Sequence, residues 1–134
     1  MRVIKQIILH CSDTETGNAK AIRKYHIEKK GWADIGYHYV IDRDGKIETG
    51  RAIEHIGAHC KDENSDSIGI CLIGIAEFTP SQFESLLTII ERTRERFGNI
   101  PVYGHYEKKS GKAQGKTCPN IDMDWLRTEW SLWV

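Results

Sequence analysis

Three residues far apart in the chain carry donor atoms of the kind that hold a transition metal. They are His10, which closes the apolar run Ile7-Ile8-Leu9-His10, His105 in Gly104-His105-Tyr106-Glu107, and Cys118 in Lys116-Thr117-Cys118-Pro119. Two imidazoles and a thiolate suit zinc, and three protein ligands leave the fourth tetrahedral position to water, which separates a catalytic zinc from a structural one. Taken singly each residue reads otherwise, since a lone histidine at a strand end is usually a satisfied surface or boundary residue. Together they gain weight. Gly104 lets the backbone turn tightly, so that the His105 ring points at a shared centre, and Pro119 fixes the chain direction after Cys118. If the three converge, the chain is a zinc hydrolase or a relic of one, with one Zn2+ per chain.

Further candidates carry two readings each. Tyr37 sits in the densest motif, Gly31-Trp32-Ala33-Asp34-Ile35-Gly36-Tyr37-His38-Tyr39. Either Trp32 and Tyr39 are core and Tyr37 is merely exposed, or its hydroxyl stands over the water at the metal as proton acceptor or as donor to developing charge. Lys116 is either solvated, the usual fate of a lysine, or a donor to the oxyanion of a tetrahedral intermediate. His59, in Gly57-Ala58-His59-Cys60, is a candidate for substrate contact on a loop rim. His38 alternates to the face opposite Tyr37 and reads as a structural hydrogen-bonding residue. His26, on a helix, and His55, beside a charged stretch, read as structural or solvated.

The elements that must position these groups follow from periodicity. Residues 3–9 are rich in β-branched side chains and predict a core strand ending at His10. Residues 19–30 predict a helix with Ile22, Tyr25, His26 and Lys29 along one side and Gly31 as its stop. Residues 37–41 predict a strand, Asp42-Arg43-Asp44-Gly45 a turn and residues 46–48 the returning strand. Residues 68–75, the longest apolar run, predict a central strand buried on both faces. Thr79, Pro80 and Gln82 form a capping box for a helix whose Phe83, Leu86, Leu87, Ile90 and Phe97 share a face, with Gly98 ending it. Residues 101–103 predict a short strand delivering His105. Residues 122–133 predict a last helix with Trp125, Leu126 and Trp130 inward. The class is α/β: a single domain with a central mixed sheet flanked by about three helices. His10 and His105 would lie just past strand ends, where open α/β sheets bind ligands.

The whole chain narrows the function classes. Its 134 residues fit one domain with a real core. Nineteen basic and nineteen acidic residues cancel to zero charge, and the basic ones are scattered, so nucleic acid is not an expected partner. The stretch from Met1 to Gln6 does not read as a signal peptide, and no window approaches a membrane span. The protein as encoded is expected to be made and kept in the cytosol, reaching any extracellular target by release. Four cysteines (Cys11, Cys60, Cys71 and Cys118) in such a chain argue against disulfides. Cys71 reads as a small buried hydrophobe, and the lack of a CxxC pair excludes a zinc ribbon or thioredoxin motif.

The chain resembles the amidase-type phage lysozymes, zinc N-acetylmuramoyl-L-alanine amidases that share a fold with the peptidoglycan recognition proteins. The resemblance runs in order through Ile8–Ser12, Gly31–Tyr39, Arg43–Gly45, Glu48–Arg51, Gly57–His59, Asn64–Leu72, Phe78–Pro80, Gly104-His105 and Lys116–Pro119. It implies a single catalytic amidase domain over residues 1–134, with His10, His105 and Cys118 at the positions of the zinc ligands and Tyr37 and Lys116 at those of the catalytic pair. Peptidoglycan is then the partner, and a monomer is expected. Two departures stand out: a slightly longer loop over residues 108–115 and a shorter N-terminal arm. Some phage relatives bind their own RNA polymerase through surface that includes such an arm, so its shortness argues against that second role.

The implied reaction is hydrolysis of the amide between N-acetylmuramic acid and the L-alanine of the stem peptide. A binding module without turnover is the first rival, but non-catalytic relatives typically lack the cysteine. A cytosolic muropeptide-recycling amidase is the second, but those generally carry aspartate where this chain has Cys118.

Overall fold

The computed structural model describes residues 2–134, so Met1 and any reading that includes it lie partly outside the described residues. The sheet has five strands, β1 (Gln6–Cys11), β2 (Tyr39–Ile41), β3 (Ile47–Thr49), β4 (Ser67–Leu72) and β5 (Val102–Gly104), in the order β3-β2-β4-β1-β5. All pairings are parallel except the β2–β3 hairpin. The central position of β4 explains its composition: with neighbours on both edges and helices over both faces, every one of its residues is buried.

Among the described residues there are four α-helices, α1 (Ala19–Glu28), α2 (Pro80–Phe97), α3 (Lys109–Ala113) and α4 (Met123–Glu129). Asn18 caps α1 by accepting from Ala21 N. Thr79 and Gln82 form the expected box on α2, and Gly98 ends it. Asp122 caps α4.

Alternation along β1 sorts the molecule into two layers. Ile7 and Leu9 join the main core with Ile68, Ile70 and Leu72 of β4, Leu86, Ile89 and Ile90 of α2, and Met123 and Leu126 of α4. Ile8 and His10 point the other way. On that face Cys71, the β4 partner of His10, packs with Ala19 of α1, Ile35, Val40 and Ile73 in a smaller core. The thinness of this second layer leaves room for a cleft.

The structure corrects several expectations. The first strand starts at Gln6, leaving Val3 exposed, and it includes His10 instead of stopping before it. The second begins at Tyr39, so Tyr37 precedes it. Tyr25 is exposed, and α1 buries only Ala19 and His26. Trp125 is 48% exposed, because α4 stops at Glu129 and meets the core through Met123 and Leu126. The expected loop over residues 108–115 contains α3, whose sequence Lys-Ser-Gly-Lys-Ala has no apolar stripe to announce it. All four cysteines are free thiols. Among the described residues no helix is long and apolar enough to cross a membrane.

Candidate metal centre

A cleft of about 660 Å³ opens beside the C-terminal ends of the parallel strands, lined among others by His10, Trp32, Tyr37, His105, Lys116 and Cys118. Three of these arrive from separate elements. His10 is set by β1. His105 begins the single turn that follows β5. Cys118 lies in the segment between α3 and α4, joined to Pro119 by a cis peptide bond. Their ligand atoms lie within 4.8 Å of one another.

Backbone and side-chain bonds lock this convergence. Tyr106 N donates to Cys118 O at 3.0 Å, tying the His105 turn directly to the cysteine. Glu107 accepts from Gly104 N at 2.9 Å and takes both Arg127 nitrogens at 2.8 Å in a two-pronged ion pair. Arg127 is buried and also donates to Val102 O, so α4 braces the turn that presents His105. Cys11 N donates to Cys118 Sγ at 3.0 Å, a contact that favours negative charge on the sulfur.

The electrostatics of the three donors suit a cation. Burial, then the neighbouring imidazoles of His59 and His105, hold His10 well below the usual imidazole range. Burial and the nearby Lys116 lower His105. Both rings are therefore neutral at pH 7 and offer a lone pair. The Cys11 thiol and burial push the Cys118 thiol up, so a positive charge is needed to bring it to the thiolate. Two neutral imidazoles, one sulfur with an N–H directed at it, and a spacing under 5 Å fit a tetrahedral divalent ion.

The other candidates fall in different places. The Tyr37 ring stands 5.1 Å from that of His10 and 5.7 Å from that of His26, with its hydroxyl beside the Cys71 thiol. Burial, then the cysteines around it, raise the phenol well above its ordinary range. Lys116 is exposed on the cleft wall, anchored by its own N–H to Gly111 O at 2.8 Å. His59 is not on a rim: it is buried, and both ring nitrogens are engaged, Nδ1 with His10 Nε2 at 2.9 Å and Nε2 with Ser67 Oγ at 3.1 Å. His38 is buried, its Nδ1 accepting from Gly69 N and its Nε2 facing His55 O. His55 is exposed.

Of the two readings of His26, structural or solvated, the structure takes the first: it is buried, accepts from Gly36 N at 2.9 Å and packs against Trp32, so it shapes the turn that carries Tyr37. Sequence reasoning missed the Cys11 N–H, because a backbone group leaves no mark in a sequence.

The profile of the N-acetylmuramoyl-L-alanine amidase family matches residues 1–121. The endolysin of Enterobacteria phage K11 is 34% identical in an alignment of 135 positions that covers 92% of this chain and 85% of that protein. The endolysin of Escherichia phage T7 is 35% identical, over 92% of this chain and 86% of its own length. In fold, the chain superposes on N-acetylmuramoyl-L-alanine amidase LysC from Clostridium intestinale URNW with a TM-score of 0.83, at 24% identity, covering 97% of this chain and 87% of that one. With a match over most of its length and relatives above three-tenths identity across nearly all of theirs, the chain belongs to the N-acetylmuramoyl-L-alanine amidase family.

Proposed function

We propose that the chain cleaves peptidoglycan as an endolysin-like amidase, with Zn2+ held by His10, His105 and Cys118 and with Tyr37 and Lys116 as its catalytic side chains. The whole chain, residues 1–134, acts as one catalytic domain. The reaction adds water across the C–N bond between the lactyl group of N-acetylmuramic acid and L-alanine. The carbonyl carbon ends as a carboxylate and the nitrogen as the free amine of the stem peptide. The convergence of two neutral imidazoles and one sulfur within 4.8 Å, in a cleft open to a large substrate, carries this reading.

When bound, the ion supplies Lewis acidity and lowers the pKa of water toward neutrality. The remaining work belongs to the protein. Burial keeps the Tyr37 hydroxyl protonated, which suits it to orient the attacking water and donate to developing negative charge more than to act as a base. Lys116, a cation on the cleft wall, stabilises the oxyanion of the tetrahedral intermediate. Cys118 separates this reading from binding without turnover, because it completes the donor set.

The test is mass spectrometry of the soluble products of purified sacculi digested by the wild type and by Cys118→Ser. The expected result is free stem peptides with unblocked L-alanine amines from the wild type and none above background from the variant. Glycan fragments with new reducing ends, or equal release by both proteins, would overturn it.

A further inference from the structure

Two buried residues beneath the cleft have no part in the reaction described above: His59, 9% exposed, and Ser67, fully buried. His59 lines the cleft, and Ser67 Oγ lies 3.1 Å behind it at His59 Nε2. We propose that His59, backed by Ser67, is a positioning residue that fixes the tautomer and ring orientation of His10, so that His10 meets the metal through Nδ1. The proposal rests on the zinc reading of His10, His105 and Cys118.

His10 Nε2 lies 2.9 Å from His59 Nδ1. Two imidazole nitrogens at that distance share one hydrogen, which lies on one ring or the other. If it sits on His59 Nδ1, a neutral His10 carries its own hydrogen on Nδ1, and that nitrogen is closed to a cation. If it sits on His10 Nε2, the Nδ1 lone pair is free. Only the second direction is compatible with a His10 ligand. It requires His59 to accept at Nδ1 and hence to carry its hydrogen on Nε2, where Ser67 Oγ accepts at 3.1 Å. The hydrogen bonds then run one way, from His10 through His59 to Ser67. An outer partner of this kind holds a ligand histidine in one tautomer and raises its basicity.

The surroundings are built to hold this ring. A Cβ at Gly69 would come within 2.5 Å of His59 Cγ, and one at Gly57 within 2.8 Å of its Cδ2. These two glycines clear the space that the imidazole fills. Asn64 Oδ1 accepts from the backbone of both His59 and Cys60, at 2.9 and 3.0 Å, which fixes the loop at the histidine. The ring planes are nearly perpendicular, at 87°, with centroids 5.0 Å apart and the two nitrogens facing each other edge to edge at 2.9 Å. His59 lines the cleft from a buried position, so this positioning role does not replace the expected contact with substrate.

The experiment uses the full chain. Zinc affinity is measured by competition with a chromophoric chelator, and the imidazole 15N shifts are recorded on the zinc-loaded protein. In the wild type, His10 is expected to show metal at Nδ1 and a proton at Nε2. His59→Leu is expected to weaken zinc binding about 10- to 100-fold, while His59→Asn, whose Oδ1 replaces the Nδ1 acceptor, stays within about threefold of wild type. Ser67→Ala is expected to shift the His59 tautomer signals toward a mixture. Metal at Nε2 of His10 overturns the proposal outright, as does a His59→Leu protein that binds zinc as tightly as wild type. Should His59→Leu not fold, the wild-type spectrum and the Ser67→Ala spectrum decide: a His59 signal unchanged in Ser67→Ala counts against the chain of bonds. A wild type that takes up no zinc defeats this proposal together with the metal site. Zinc lost in His10→Ala but indifferent to His59 defeats the positioning role alone.

Discussion

Lys116 is the residue whose chemistry and packing are most separable. Its side chain is exposed and makes no contact the fold depends on, so removing it should cost catalysis and little else. Lys116→Ala is expected to lower kcat about 100- to 1000-fold while zinc content and melting temperature stay at wild-type values. Steady-state release of L-alanine amines from sacculi, beside metal analysis, checks both halves; full activity in the variant removes Lys116 from the mechanism. At this scale the sequence was most readable for side chains that carry the chemistry themselves. His10, His105 and Cys118 suggested a metal site only when taken together, by donor type and flanking residues, and the structure brings their donor atoms within 4.8 Å of one another. The groups that tune them were hidden, because the Cys11 N–H and the His10–His59 contact depend on the path of the backbone, which places residues 49 positions apart at 2.9 Å.

Elements set the precision of the site. The turn after β5 is held by Arg127 of α4 against Glu107. Burial alone would raise the Glu107 carboxyl, but the Arg127 guanidinium outweighs it and holds the group below the usual carboxylate range. Arg127→Ala is expected to destabilise the protein by about 2 kcal/mol, read by urea denaturation, since it leaves the half-buried Glu107 carboxylate and Val102 O without their donor. A loss under 1 kcal/mol would contradict the bracing role given to α4. The β2–β3 hairpin offers a pH test. Glu48 accepts from Ala19 N at the start of α1 and is held low by that bond. Burial and then the nearby Glu48 raise Asp42 to about 6. A carboxyl raised in the folded state stabilises the fold below its unfolded pKa, near 3.9, and loses that contribution as pH climbs through about 6. Asp42→Asn, which mimics the protonated form, should therefore match wild type near pH 4 and melt higher near pH 7. The gap should be under about 1 kcal/mol given the group's partial exposure. Melting curves across that range check it, and a gap that shrinks as pH rises reverses the assignment. Thr79 and Gln82 made α2 legible because a capping box is local chemistry. The register of Tyr37 and the outward Trp125 were not legible, because both depend on where the sheet and the main core end.

The fold of the whole molecule was legible as a class. Alternating strand and helix patterns give a mixed sheet with helices on both faces, and β4 at its centre follows from its unbroken apolar run. The strand order β3-β2-β4-β1-β5 was not, since it depends on pairings between segments as far apart as β1 and β5. That order lets β1, α1, the turn after β5 and the segment before α4 meet at one cleft. A metal bridging such distant segments binds the folded chain far better than the unfolded one. Zinc at about 100 times its Kd is accordingly expected to add about 2.7 kcal/mol of stability, seen as a rise in Tm that a chelator reverses. The most direct measurement is reconstitution: strip the protein with a chelator, titrate Zn2+ back, and follow new L-alanine amines released from sacculi. Activity should vanish on stripping and return in full at one zinc per chain, with Cys118→Ser failing to recover at that stoichiometry. Amide cleavage that survives complete removal of metal, or a Cys118→Ser chain restored as readily as the wild type, would contradict a metal held by His10, His105 and Cys118.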